Sequence, residues 1–159
     1  MSRRAEIRMS SEEIRGFLAD QRVVTCASIG PNGRPHLMPL WYVAEGEAIL
    51  CWTYAASQKA KNLERLPEAT LQVEDGIEYS ELRGVMMECG VELISEPERV
   101  RALGLQIALR YAPFELDAGA EPPAELVEFV ARQATKRVGL RFTPTRTVSW
   151  DHRKLGGTY

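Results

Sequence analysis

Hydrophobic positions along this chain change period several times, and each change marks an element. Ile14, Phe17 and Leu18 recur at helical spacing, and Ser10 with Glu13 three residues later fits a capping box, so residues 9–18 are predicted as a helix. Residues 23–29, Val-Val-Thr-Cys-Ala-Ser-Ile, are β-rich. Gly30-Pro31-Asn32-Gly33 is a strong turn, and residues 36–43 follow as the return strand. Glu45-Gly46-Glu47 turns again into a strand over 48–53, which predicts a three-stranded meander before a short helix opened by Ser57. Residues 69–73 read as a fourth strand, broken by Glu74-Asp75-Gly76, and residues 82–94 as a long fifth. Val100, Leu103, Ile107 and Tyr111 are spaced for one face of a helix over 97–111. Residues 112–123 are a proline-rich loop, and a second helix over 124–137 starts after the pair Pro122-Pro123. Residues 138–150 make a final strand with a kink near Pro144, and the polar tail 151–159 ends in glycines and Thr158-Tyr159.

Six strands at hairpin spacing predict an α+β, mainly β, single domain over residues 1–159: a six-stranded antiparallel barrel with flanking helices. A barrel of this size fills its interior with side chains. A large ligand then binds outside it or between two copies. Trp41, Trp52 and Trp150 add aromatic surface that a homodimer would cover.

Composition narrows the class. The chain has 159 residues, 45% of them apolar and 26% charged, with a formal net charge of −2. No global basic field points to nucleic acid, and no apolar run approaches the ~20 residues of a membrane span. Met1-Ser2-Arg3-Arg4-Ala5-Glu6 has no apolar stretch behind its arginines, unlike a secretory leader. The three cysteines, Cys26, Cys51 and Cys89, are widely spaced in apolar surroundings, which predicts reduced thiols rather than a metal site, and a cytoplasmic protein.

The chemistry concentrates after the third strand. In Cys51-Trp52-Thr53-Tyr54-Ala55-Ala56-Ser57-Gln58-Lys59-Ala60-Lys61-Asn62-Leu63, a strand stops at small residues and Ser57 opens a helix carrying Lys59 and Lys61 in its first turns. Free N–H groups at a helix start, a hydroxyl and an ammonium make a seat for phosphate. The competing reading is a capped surface helix with solvated lysines. Pro39 cannot donate to a sheet ladder and so belongs on an edge or at a bulge. With Met38, Leu40 and Trp41 beside it, that strand is either a floor for a planar heterocycle or an edge blunted against aggregation.

Asn32-Gly33-Arg34-Pro35-His36, then Trp52-Thr53, then the run from Ser57 to Leu63 resemble the split-barrel flavin-binding proteins related to pyridoxamine 5′-phosphate oxidase. Val73-Glu74-Asp75-Gly76, Leu82-Arg83-Gly84-Val85 and Ser149-Trp150-Asp151-His152-Arg153-Lys154-Leu155-Gly156 resemble more specifically its actinobacterial deazaflavin branch, which uses coenzyme F-420. The resemblance implies a split barrel and a homodimer with two cofactor sites in the dimer groove. It implies that Lys59, with Ser57 and Gln58, holds the cofactor phosphate. It implies that Leu37, Met38, Pro39, Leu40 and Trp41, with Trp52 and Thr53, border the ring, and that partner residues around Trp150 to Lys154 close the site. Asn62 either binds through its amide or belongs to the helix surface. The run 37–42 lacks the cations that the oxidases carry on this strand, which disfavours vitamin B6 chemistry.

The implied function is hydride delivery from reduced F-420 to an activated alkene, imine or carbonyl of a small organic substrate. The alternatives are an FMN-dependent oxidoreductase of the same fold, or a non-catalytic binder of a flavin, deazaflavin or tetrapyrrole. No catalytic side chain is assigned; His36, Tyr42 and His152 are the proton-donor candidates. Lys59, Lys61, Arg65 and Lys154 are candidate partners for a negatively charged cofactor tail.

Overall fold

The computed structural model describes residues 3–117 and 119–156; Met1, Ser2 and the tail Gly157-Thr158-Tyr159 lie outside the described residues. The elements run α1 (Arg3–Glu6), α2 (Ser11–Asp20), β1 (Val24–Ile29), β2 (Pro35–Leu40), β3 (Val43–Glu45), β4 (Ala48–Tyr54), α3 (Gln58–Arg65), β5 (Glu68–Asp75), β6 (Arg83–Ile94), α4 (Pro97–Arg110), α5 (Ala124–Ala134) and β7 (Arg137–Asp151). Single 3-10 turns span Tyr79–Glu81 and His152–Leu155.

One antiparallel sheet with the order β2-β1-β5-β6-β7-β4-β3 curls into a half-barrel, leaving β2 and β3 as its edges. It holds seven strands rather than the six expected, because the predicted strand 36–43 breaks in two. Tyr42 is fully buried, its N–H donates to the Tyr111 hydroxyl (3.0 Å), and its own hydroxyl donates to Leu18 O (2.7 Å). Those bonds pull residues 41–42 out of the ladder, so β2 and β3 become separate strands. The meander is corrected too. Among the described residues β2 pairs with β1 alone, while β4 pairs with β7 across a long crossover.

Other expectations hold closely. Ser10 caps α2 in a full capping box, its hydroxyl accepting from the Glu13 N–H and Glu13 accepting from the Ser10 N–H. Pro39 lies on an edge strand, opposite Thr25. The kink at Pro144 is a β-bulge: Glu88 pairs with Arg146 and Cys89 with Pro144, which leaves Thr145 unpaired. Its hydroxyl donates to Glu88 O (3.0 Å). The second predicted helix ends three residues early, at Ala134, because Arg137 already pairs with Tyr54 in the sheet.

The concave face holds the core: Cys26, Ile49, Cys51, Leu71, Val85, Met87, Leu140 and Phe142. Phe17 and Leu18 of α2 close it near the start of β1, and Ala60 and Leu63 of α3 close it near the end. α4 and α5 cover the opposite face of β4 and β7, where Ile94, Val100 and Ala134 form a second cluster with Trp52. Gly104 permits that contact, because a Cβ there would overlap the Trp52 ring. No described helix is long and apolar enough to cross a membrane.

Candidate functional site

Strand β4 alternates between the two faces. Cys51 and Thr53 point into the half-barrel, while Trp52 points to α4. After Tyr54 the chain turns, and Ser57 caps α3 by accepting from the Ala60 N–H (3.2 Å). Lys59, Ala60, Asn62 and Leu63 form the buried face of α3. This spacing of one, three and four residues turns two polar side chains toward the barrel rather than toward water.

Lys59 is 5% exposed, and its ammonium donates to Thr53 Oγ1 (3.0 Å). The Thr53 and Ser57 hydroxyls stand 3.3 Å apart, so one chain of polar contacts links strand, cap and lysine. No carboxylate pairs with Lys59 among the described residues. Burial pushes its pKa below 10.5, while Cys26 and Cys51 beneath it oppose that shift. Burial in turn pushes the Cys26 thiol up to about 11, the Cys51 thiol well above its ordinary value and the Cys89 thiol up to about 12, so all three are neutral thiols at physiological pH.

A second polar chain leads from α3 to the edge of the sheet. Gln58 Nε2 donates to Asn62 Oδ1 (2.8 Å), and Asn62 Nδ2 donates to Ser28 Oγ (3.1 Å). Ser28 lies opposite His36 in the β1–β2 ladder. His36 Nδ1 is buried with no hydrogen-bond partner among the described residues. Leu37 and Met38 on the same strand, and Trp41 just past its end, are 58%, 43% and 57% exposed. Trp41 stacks on Tyr111 with ring centroids 4.4 Å apart and planes 8° from parallel.

The structure thus brings together Thr53, Ser57, Gln58, Lys59 and Asn62, and sets Leu37, Met38, Pro39, Leu40 and Trp41 along the neighbouring sheet edge. Three expected residues lie elsewhere within the chain. Trp52 is on the opposite face, packed on Gly104 with the Arg137 guanidinium 4.6 Å from its ring. Trp150 lies against Gly84. Lys154 donates to Arg8 O (2.8 Å) and to Glu13 Oε2 (2.7 Å). Arg65 donates to Ile29 O, and Lys61 is exposed. His152 Nδ1 lies 2.9 Å from Tyr79 O. Ser28 is the participant that sequence reasoning missed. Its inward position follows from the alternation Val24, Cys26, Ser28 in β1, but no spacing in the chain announces the partner at Asn62.

A family model described as pyridoxamine 5′-phosphate oxidase matches residues 10–151. The chain belongs to that family. The conserved hypothetical protein Rv2991 from Mycobacterium tuberculosis is 40% identical, with a TM-score of 0.87 over 100% of this chain and 95% of its own. An F420 reductase is 22% identical, with a TM-score of 0.61 over 84% of this chain and 94% of its own. A FAD-binding protein from Mesorhizobium loti is 16% identical, with a TM-score of 0.65 over 89% and 94%. These last two share the fold. No curated protein matches the chain. Membership in the oxidase family makes this an oxidoreductase-type, flavin-binding fold, and the start of α3 is linked to strand β2 through the Asn62–Ser28 bond and the Ser28–His36 rung of the ladder.

Proposed function

We propose that this protein is an oxidoreductase that uses reduced coenzyme F-420 to deliver a hydride to an activated alkene, imine or carbonyl of a small organic substrate. The observation that carries this reading is Lys59, a buried ammonium with three donors and one acceptor, Thr53 Oγ1. A buried cation without a carboxylate is costly, and an anion brought to it offsets that cost. The Ser57 hydroxyl and the free N–H groups at the start of α3 add donors at the same place. This donor set fits a cofactor phosphate. The exposed apolar side chains of β2 fit a planar ring, and the run 37–42 has no cation that would call for a second phosphate. The fold shared with an F420 reductase supports the same choice.

F-420, when bound, supplies the hydride chemistry. The chain's own residues supply the rest. Lys59, Ser57 and Thr53 anchor the phosphate, and Leu37, Met38 and Trp41 orient the ring and exclude water. His36 is the candidate proton donor on β2 itself. Tyr42 is withdrawn from that role: burial pushes its pKa up to about 12, and its hydroxyl is committed to Leu18 O. A second copy of the chain would cover β2 and Trp41, giving a homodimer whose two sites lie in the groove, each closed by the 150–154 segment of the other copy.

Fluorescence titration with F-420 and with FMN tests the reading. Micromolar or tighter F-420 binding, weaker FMN binding and at least a tenfold loss of F-420 affinity in Lys59→Met are expected. A preference for FMN, or equal affinity in the variant, overturns it.

A further inference from the structure

Arg137 opens β7 between two aromatic rings. Its guanidinium carbon is 4.6 Å from the Trp52 ring centroid and 4.1 Å from that of Tyr54. Two π faces flank a guanidinium well, but they leave its in-plane N–H donors unused. One of those donors reaches Gln133 Oε1 at a long 3.4 Å. Nε is buried with no partner, and no carboxylate pairs with Arg137 among the described residues. An orphaned N–H on a cation is rare in folded proteins and expensive to keep.

Beside it lies a cavity of about 200 Å³, lined by Ser95, Val100, Arg101, Ala131, Thr135 and Arg137. Among the described residues, none on its wall is acidic. Glu98, on the first turn of α4, pairs with Arg101 (2.9 Å), and Glu96, just before it, pairs with Arg99 (3.4 Å). Two guanidinium groups and two hydroxyl-bearing residues therefore meet at a space too small for a nucleotide or a deazaflavin.

We propose that this cavity is a binding site for a small oxyanion, phosphate being the best fit: a tetrahedral anion offers several acceptors to the unused donors of Arg137, and the charge of one anion balances a cation that the fold leaves uncompensated. The site is separate from the Lys59 cluster and independent of the cofactor reading. It has a structural route to that cluster, because Tyr54, which flanks Arg137, ends the strand that turns into Ser57, and the Ala55 N–H donates to Lys136 O (3.0 Å). Occupancy would rigidify the turn that leads into α3.

Titration calorimetry with inorganic phosphate on the full chain, free of flavin and deazaflavin, tests the proposal. One phosphate per chain beyond any taken up at the Lys59 seat is expected, with a rise in melting temperature at 10 mM phosphate over equal ionic strength of chloride. Arg137→Met should weaken binding at least tenfold. Ala131→Met, which narrows the cavity and keeps the guanidinium, should also weaken it and guards against an Arg137 variant that does not fold. Lys59→Met should leave it unchanged. Wild-type affinity in both cavity variants overturns the proposal. So does loss of phosphate binding in Lys59→Met alone, which would put the anion at the start of α3 and leave the cofactor reading standing.

Discussion

Tyr111 and Trp41 stack face to face, with centroids 4.4 Å apart and planes 8° from parallel, across the junction between the end of α4 and the end of β2. The same Tyr111 hydroxyl accepts the Tyr42 N–H at 3.0 Å and can donate to Arg22 O at 2.6 Å. One side chain thus holds the exposed end of the apolar strand and the bend that ends it.

Tyr111→Phe keeps the stack and removes the hydroxyl. It leaves the Tyr42 N–H without its acceptor beside a fully buried ring. A loss of about 1–3 kcal/mol is expected in urea unfolding, with an unchanged m-value.

Lys59 makes stability depend on alkaline pH in a definite sense. Its folded pKa lies below its unfolded value of 10.5, because burial disfavours the charged form. The unfolded chain therefore binds more protons between the lowered folded value and 10.5, and stability rises with pH across that window. Lys59→Met removes the term. The variant should match or exceed wild type in stability at neutral pH, and the difference between the two should shrink as pH rises. A difference that is flat with pH would mean that the ammonium is well solvated.

Asp151 gives a slope of the same sign in the acid range, because its folded pKa is also lowered, but here the fold favours the charged form. The Arg153 side chain, and then the Arg153 backbone N–H, hold its carboxyl below 3.8. The bonds are 2.8 and 2.5 Å from the guanidinium and 3.0 Å from the backbone. Its contribution is complete above the unfolded pKa and is lost as pH falls through the folded one. Asp151→Asn should cost about 1–3 kcal/mol at pH 7 and flatten the acid limb of a stability–pH curve measured by denaturant titration.

Gly104→Ala should destabilise by about 1–3 kcal/mol, since the new methyl overlaps the Trp52 ring and neither the helix nor the packed indole can move freely. Thermal melts of this variant and of Trp52→Leu/Gly104→Ala check the cause. Recovery in the double variant is expected if the indole is the obstacle.

The proposed homodimer makes Leu37 a sensitive position, because it is 58% exposed on the outer pleat of edge strand β2. Leu37→Glu should shift sedimentation velocity from dimer to monomer at micromolar concentration, with F-420 affinity falling in parallel.

Local signals in the sequence carried most elements. The Ser10–Glu13 box, the turn at 30–33, the edge position of Pro39 and the bulge at Pro144 each follow from one or two residues whose backbone demands are specific. What the sequence hid was non-local. Nothing near Tyr42 announces that its N–H bonds Tyr111, so the break between β2 and β3 was invisible. The α3 lysines looked alike as charges in a first turn, yet Lys59 is buried and Lys61 exposed, a distinction set by helix phase against β1 and β4. Trp52 and Thr53 looked like neighbours on one site, but strand alternation sends them to opposite faces.

The final strand has a kinetic consequence. β7 pairs with β6 from Gly139 to Asp151, apart from the bulge at Thr145, but meets β4 over the shorter run Arg137–Phe142. Near its far end, residues 7–9 take the place of a strand: the Met9 N–H donates to Ser149 Oγ (3.0 Å) and the Asp151 N–H to Ile7 O (2.7 Å). Contacts across some 140 positions cannot form until ribosomal synthesis has delivered β7. A chain arrested before residue 137 would carry β4 with one flank bare and α2 without its anchor. Such a topology folds late and in the slower, millisecond-to-second range of single domains, and its truncated forms are the ones that a cell's chaperones would meet.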